Sequence, residues 1–221
     1  MSALSRVFKP PKIMRLHSEG ALLQCDYLHS GATMDLILIR HGRPERSHAT
    51  SDPVLSPLGH EQSARVAQWL AAEPVDAVWS STMRRAVQTA EPFASSASQE
   101  IRTHAGIVEF DQAARTYVPT EELKRENFAL WQAMATGGHG VDMNAFQARV
   151  VAGMEEIVAT HPGQRVAVFC HGGVINMWAS HVLGLAPRIF FEADYTSINR
   201  FVCARSGQRS VMSLNERAHL R

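Results

Sequence analysis

Residues 36–39 and 166–169 are short apolar runs with no polar interruption, the pattern of strands buried on both faces of a parallel sheet. Residues 75–79, 198–203 and 210–214, and a shorter stretch at 101–103, also have the length and composition of strands. Segments with helical spacing lie between them. Ser56-Pro57 supplies an N-cap and a proline at the first helical position, and Ala64, Ala67, Leu70 and Ala71 mark one face of the helix that follows. Met83, Ala86, Val87, Ala90, Phe93 and Ala94 form a second apolar stripe. Phe146, Val150, Met154, Ile157 and Val158 form a third, ended by Pro162-Gly163. Helices are also expected over 120–135 and over 174–183, the latter capped by Gly184. Strands alternating with helices in this way point to an α/β domain with helices packed on its sheet.

The two apolar runs end alike, in Arg40-His41-Gly42 and in Cys170-His171-Gly172-Gly173. Ligands of open α/β sheets bind just beyond the carboxyl ends of strands, so a cation, imidazoles and glycines there suggest an anion site. A third turn, Ser80-Ser81, leads from the strand at 75–79 into the helix bearing Arg84 and Arg85. Such a turn can offer backbone N–H groups and a bidentate guanidinium to a phosphate. Both arginines lie off the apolar stripe, so spacing does not choose between them.

Arg40-His41-Gly42, the later His171-Gly172-Gly173 and, between them, the stretch from Ser80 to Ala90 resemble the histidine phosphatase superfamily, also called phosphoglycerate mutase-like. The resemblance covers residues 34–214 and implies a three-layer sandwich, a mostly parallel central sheet flanked by helices. It assigns His41 as the nucleophile that forms a phosphohistidine, and Arg40, Arg85 and His171 as the groups that hold the phosphoryl oxygens. The family pattern Arg-Ala-x-x-Thr-Ala selects Arg85 over Arg84. Glu109, two residues after Ile107, falls where the family has its proton donor. Arg43 and Ser47, on the polar loop after His41, are further candidates for substrate contact. The scheme calls for no metal and no cofactor. It implies a phosphatase acting on phosphomonoesters of small metabolites; a mutase-type phosphoryl transfer and a non-catalytic phosphate-binding protein are the alternatives. Residues 115–142, polar and helical in part, with Gly137-Gly138-His139-Gly140, are expected to cover the site and shape specificity.

One motif competes. Cys203 to Ser210 fits the cysteine phosphatase pattern of Cys, five residues, Arg and a hydroxyl. That chemistry needs a loop running into a helix N-terminus, whereas residues 210–214 alternate like a strand. A hairpin around Gly207 with Cys203 at the end of an edge strand is the expectation. Cys170 reads as a small buried side chain, and His48, His60, His104, His139, His161 and His181 as surface or helix-end residues.

Charge narrows the partners. Lys+Arg number 22 against Asp+Glu 21, a net charge of +1, which gives no field to draw the 221-residue chain to nucleic acid or an anionic membrane. No apolar run nears the roughly 18–20 residues of a membrane span. Cys25, Cys170 and Cys203 form no Cys-x-x-Cys pair, which argues against a disulfide framework or thiolate zinc site and fits a reducing cytoplasm. The 45% hydrophobic content suits one core, assigned to 34–221. Residues 1–33, aperiodic and broken by Pro10-Pro11, read as a weakly ordered extension. Oligomeric state leaves no signature in the sequence.

Overall fold

The computed structural model describes residues 33–136 and 140–221. The expectation for the first segment, apart from Thr33, and for Gly137-Gly138-His139 therefore lies outside the described residues. Six strands, β1 (Thr33–Arg40), β2 (Ala77–Ser81), β3 (Ile101–His104), β4 (Arg165–Cys170), β5 (Ile198–Ala204) and β6 (Arg209–Glu216), form one sheet in the order β3-β2-β4-β1-β5-β6. Pairings β2–β3, β2–β4 and β1–β4 are parallel, and β5 and β6 close the sheet antiparallel. β1 starts one residue before the expected boundary, with Thr33 paired to Ala204.

Side chains of the central strands alternate between two buried layers. Leu36 and Leu38 of β1 and Val166 and Val168 of β4 pack with α5 (Met143–Thr160) and α6 (Gly172–Val182). Ile37, Ile39, Ala167 and Phe169 face the other way, onto α1 (Pro57–Leu70) and α2 (Arg84–Ser96). Burial on both faces is why these runs lack polar alternation. The sandwich expected from the family resemblance is present.

Capping follows the sequence at several ends. Ser56 accepts from the Gly59 N–H with Pro57 at the first helical position of α1, and Asp142 accepts from Asn144 and Ala145 at the start of α5. The buried face of α1 is Ser63, Val66, Ala67 and Leu70; Ala64 and Ala71 are exposed. The helix expected over 120–135 is two, α3 (Thr120–Glu126) and α4 (Phe128–Ala135), because Asn127 leaves helical geometry and caps α4 through the Leu130 N–H. Cys203 lies in β5, which is flanked by β1 and β6, so it is not on an edge strand. The turn at Gly207, with φ +93°, carries the chain into β6 as the strand pattern required. His161 ends α5 as expected but is buried, accepting from the Trp79 indole N–H at 3.0 Å.

Candidate active site

β1 and β4 are parallel neighbours, yet β1 leads to α1 on one face and β4 to α6 on the other. The crevice of an open sheet forms where connections diverge in this way. His41 and His171 leave the two strands there, with ring centroids 5.0 Å apart, and the His41 N–H donates to Cys170 O at 2.9 Å, extending the pairing. Gly42 sits against Gly59 so closely that a Cβ on it would stand 2.6 Å from the Gly59 carbonyl oxygen. The Gly42 N–H donates to the Thr89 hydroxyl at 2.9 Å, which in turn donates to Arg85 O at 2.7 Å. The turn after β1 is thereby tied to the first turns of α2.

His41 is fixed as a nucleophile would have to be. Its Nδ1 lies 2.8 Å from Gly42 O, a contact that places the ring proton on Nδ1 and the lone pair on Nε2. Arg85 Nε donates to that Nε2 at 3.3 Å. Burial, and then the charges of Arg85 and Arg40, hold its pKa well below the ordinary 6.5. His171 is also held well below 6.5, by burial and then by Arg85, with its Nε2 2.8 Å from the Ser81 hydroxyl.

Two guanidiniums are buried beside these rings. Arg85 donates to Ser51 O at 2.8 Å and to Asp111 Oδ1 at 3.2 Å, and its plane lies 4.7 Å from the centroid of Tyr117. Arg40 donates to Ala193 O at 2.6 Å and stacks 3.9 Å over Tyr195. Its Nε has no hydrogen-bond partner among the described residues and borders Gly172, at the N-terminus of α6. A helix N-terminus with buried guanidiniums stabilises an anion.

The turn before α2 behaves differently from expectation. Its N–H groups are taken by protein acceptors, Met83 by the Ser81 hydroxyl and Arg84 by the Asp52 carboxylate. The Arg85 side chain reaches the site; the backbone N–H groups of Met83 and Arg84 do not serve it.

Glu109 is buried, accepting the Gly173 N–H at 2.8 Å through Oε2 and the Phe110 N–H at 3.1 Å through Oε1. A Cβ on Gly173 would collide with Glu109 Oε1, which explains the second glycine after His171. Burial and then the Asp111 charge push the Glu109 carboxyl up to about 7. A carboxyl poised near neutrality can give a proton and take one back.

His41, Arg85, Arg40 and Glu109 thus line one cavity of ≈ 290 Å³, with His171 packed against His41. Arg43 and Ser47 stand apart: Arg43 pairs with Glu122 at 2.6 Å, and the Ser47 hydroxyl accepts from Ala49 and Thr50 within its own loop. Sequence reasoning missed Asp111 and Asn176. Ser81 and Thr89 fall within the stretch from Ser80 to Ala90, which gives their side chains no role by sequence alone. Asn176 has both ends of its amide occupied: it donates to Gly172 O and Phe191 O and accepts from the Phe190 and Phe191 N–H groups. It ties the segment carrying Phe190 and Phe191 to the N-terminus of α6. An asparagine on the apolar helix after His171 was the signal available. Among the described residues no group of three or more His, Cys, Asp or Glu side chains is gathered so as to hold a metal ion.

The family model for the histidine phosphatase superfamily, branch 1, matches residues 36–216. This chain belongs to that superfamily. The histidine phosphatase assignment made from the sequence is that of the family. Among similar proteins, phosphoserine phosphatase 1 of Hydrogenobacter thermophilus is 27% identical over 200 residues, covering 84% of this chain and 93% of the relative. Phosphoglycerate mutase-like protein 4 of Arabidopsis thaliana is 26% identical over 156 residues, 64% of this chain and 68% of the relative. Among solved structures, a phosphoserine phosphatase mutant from Entamoeba histolytica in complex with phosphoserine superposes with a TM-score of 0.69 at 23% identity, covering 85% of this chain and 100% of that one. That likeness establishes the shared fold.

Proposed function

We propose that the protein hydrolyses phosphomonoesters of small molecules through a phosphohistidine on His41. The observation that carries this reading is the pairing of a neutral His41, its Nε2 lone pair facing the cavity cations, with Glu109 held near pH 7 in the same cavity.

In the first step Nε2 attacks phosphorus while Arg40, Arg85 and the α6 N-terminus neutralise the equatorial oxygens and the uncharged His171 donates a hydrogen bond to one of them. The P–O bond to the leaving group breaks, and Glu109 delivers a proton to the departing oxygen. Glu109, now a carboxylate, takes a proton from water as the water attacks the phosphohistidine, and phosphate leaves with His41 neutral again. Dividing one displacement into two is what a nucleophilic imidazole contributes. Mutase transfer has less support: among the described residues the cations lining the cavity are Arg40 and Arg85, both engaged by the phosphoryl group in this scheme, and these residues offer no further clamp for the carboxylate of a phosphoglycerate. The reading includes a reducing, cytoplasmic setting, supported by Cys170 and Cys203 as buried free thiols. Among the described residues no helix is long and apolar enough to cross a membrane.

The test is reaction with a 32P-labelled phosphomonoester quenched in alkaline detergent, because the P–N bond of a phosphohistidine is hydrolysed in acid. Label is expected on His41, and His41→Ala is expected to remove the label and lower turnover by about 10⁴-fold or more. Turnover in that variant at the wild-type rate would refute the mechanism, and binding without turnover in the wild type would favour the non-catalytic alternative.

A further inference from the structure

The cavity has two unlike halves. Its floor holds the catalytic groups, whereas its walls are Leu123, Trp131 and Met134 from α3 and α4 and Ile189, Phe190 and Phe191 from the segment after α6. From this we infer that the preferred substrates are phosphomonoesters of uncharged, apolar alcohols, aromatic or branched, and not of carboxylate-bearing ones; the inference rests on the phosphatase reading of the same site.

Three observations carry it. The first is the wall itself: six large apolar side chains outnumber the hydroxyl-bearing Tyr117 and Thr120 in the lining, and polar groups left unpaired against such a wall are costly. The second is charge. Arg40 and Arg85 are the cations in the lining, and both face the phosphoryl position; Glu109, Asp111 and Glu192 are its carboxylates. An anionic leaving group would meet repulsion, and Lys124, the cation beside Trp131, is outside the lining and already paired to Glu192. A cationic one fares little better, because Lys124 already neutralises Glu192 at 2.7 Å and already makes the cation–π contact with Trp131, 4.8 Å from its centroid. Asp111 is likewise paired, to Arg85. The third is rigidity on one side. Asn176 holds the Phe190–Phe191 backbone through three hydrogen bonds and anchors it to Gly172 O through a fourth, and the two rings lie 5.1 Å apart, so this wall is built before substrate arrives.

The experiment compares alkyl phosphates whose leaving alkoxides differ little in basicity. Values of kcat/KM for 3-phenylpropyl phosphate, phosphoserine, 3-phosphoglycerate and methyl phosphate are measured on the full chain. In parallel, binding of 3-phenylpropylphosphonate, methylphosphonate and inorganic phosphate is measured by calorimetry. We expect 3-phenylpropyl phosphate to exceed each of the other three esters by at least about tenfold, the scale on which apolar pockets discriminate. Met134→Asp and Phe190→Ala should each shrink its advantage over methyl phosphate. Hydrolysis of phosphoserine or 3-phosphoglycerate as fast as the apolar ester would overturn the inference while leaving the phosphatase reading intact. Selective binding of the phenylpropylphosphonate with no hydrolysis of any ester would do the reverse. Equal binding of the two phosphonates would also overturn the inference, whatever the turnover.

Discussion

Glu109 and His41 are perturbed in opposite senses, and stability and activity therefore depend on pH in separable ways. A histidine held below 6.5 in the fold loses stability as pH falls, because the unfolded chain binds its proton first. A carboxyl raised from 4.5 to about 7 contributes fully below 4.5 and loses that contribution as pH rises through about 7. Glu109→Gln, neutral throughout, is expected to melt higher than the wild type at pH 8 and no higher at pH 4, a contrast that calorimetry at the two values would check. For activity, the first step of the proposed mechanism needs Glu109 protonated, so single-turnover phosphorylation by an alkyl ester should fall as pH rises through about 7. Glu109→Gln should cost about 10²–10⁴-fold with alkyl esters and much less with p-nitrophenyl phosphate, whose leaving group needs no proton. Equal losses on both would remove Glu109 from the donor role. At this scale the two histidines were legible because each stands at the same place, one residue removed from the end of an apolar run. Arg85 was not distinguishable from Arg84 by spacing, since a side chain off the apolar stripe normally meets solvent, and at the sheet edge Arg85 meets the site instead. The burial of Glu109 depends on Gly173, which is distant in sequence, and no local pattern could disclose it.

On the scale of elements, α3 is held over the mouth of the site by a row of ion pairs. Glu121 meets Arg40 at 3.3 Å, Glu122 meets Arg43 at 2.6 Å and Arg46 at 3.6 Å, and Glu126 meets Arg46 at 2.8 Å. Exposed pairs of this sort are each worth about 1 kcal/mol or less, so the row positions the helix more than it stabilises the fold. Arg40 is the exception, because the Glu121 carboxylate occupies a guanidinium that the proposed mechanism assigns to the phosphoryl group. Glu121→Gln is therefore expected to tighten inhibition by inorganic phosphate or vanadate several-fold with little change in melting temperature. An unchanged inhibition constant would show that Glu121 does not compete. Residues 115–142 were expected to cover the site, and α3 and α4 do contribute its apolar walls. The break at Asn127 was hidden because asparagine is tolerated inside helices, and only the tertiary position of α4 calls on it as a cap.

Across the whole molecule, the sheet keeps the competing cysteine chemistry out. Cys203 lies in β5 between two strands, its thiol pushed up to about 12 by burial, and the chain beyond it turns back into β6. Cys203→Ser is expected to retain phosphatase activity within about twofold, measured on a variant shown to fold by calorimetry; loss of turnover in a folded variant would count against the histidine route. The strands and their order of appearance could be read from apolar runs. Their spatial order could not, since the insertion of β4 between β1 and β2 is a property of pairing between residues as far apart as Ala77 and Val166 or Asp35 and Arg165.

That insertion has a mechanical side. His41 is carried by a strand whose following helix belongs to one core layer, and His171 by a strand whose following helix belongs to the other. The two rings therefore sit on a seam, and each layer acts as a separate lever on one of them. Opening a void in either layer, by Val66→Ala under α1 or Ile175→Ala in α6, should cost about 1–5 kcal/mol of stability. It should also lower turnover at temperatures where the protein is still fully folded, because relaxation of one layer alone moves one imidazole relative to the other. Equivalent relaxation of both together would leave their spacing unchanged, so a double variant that is less stable than either single one, yet more active, is the signature to seek.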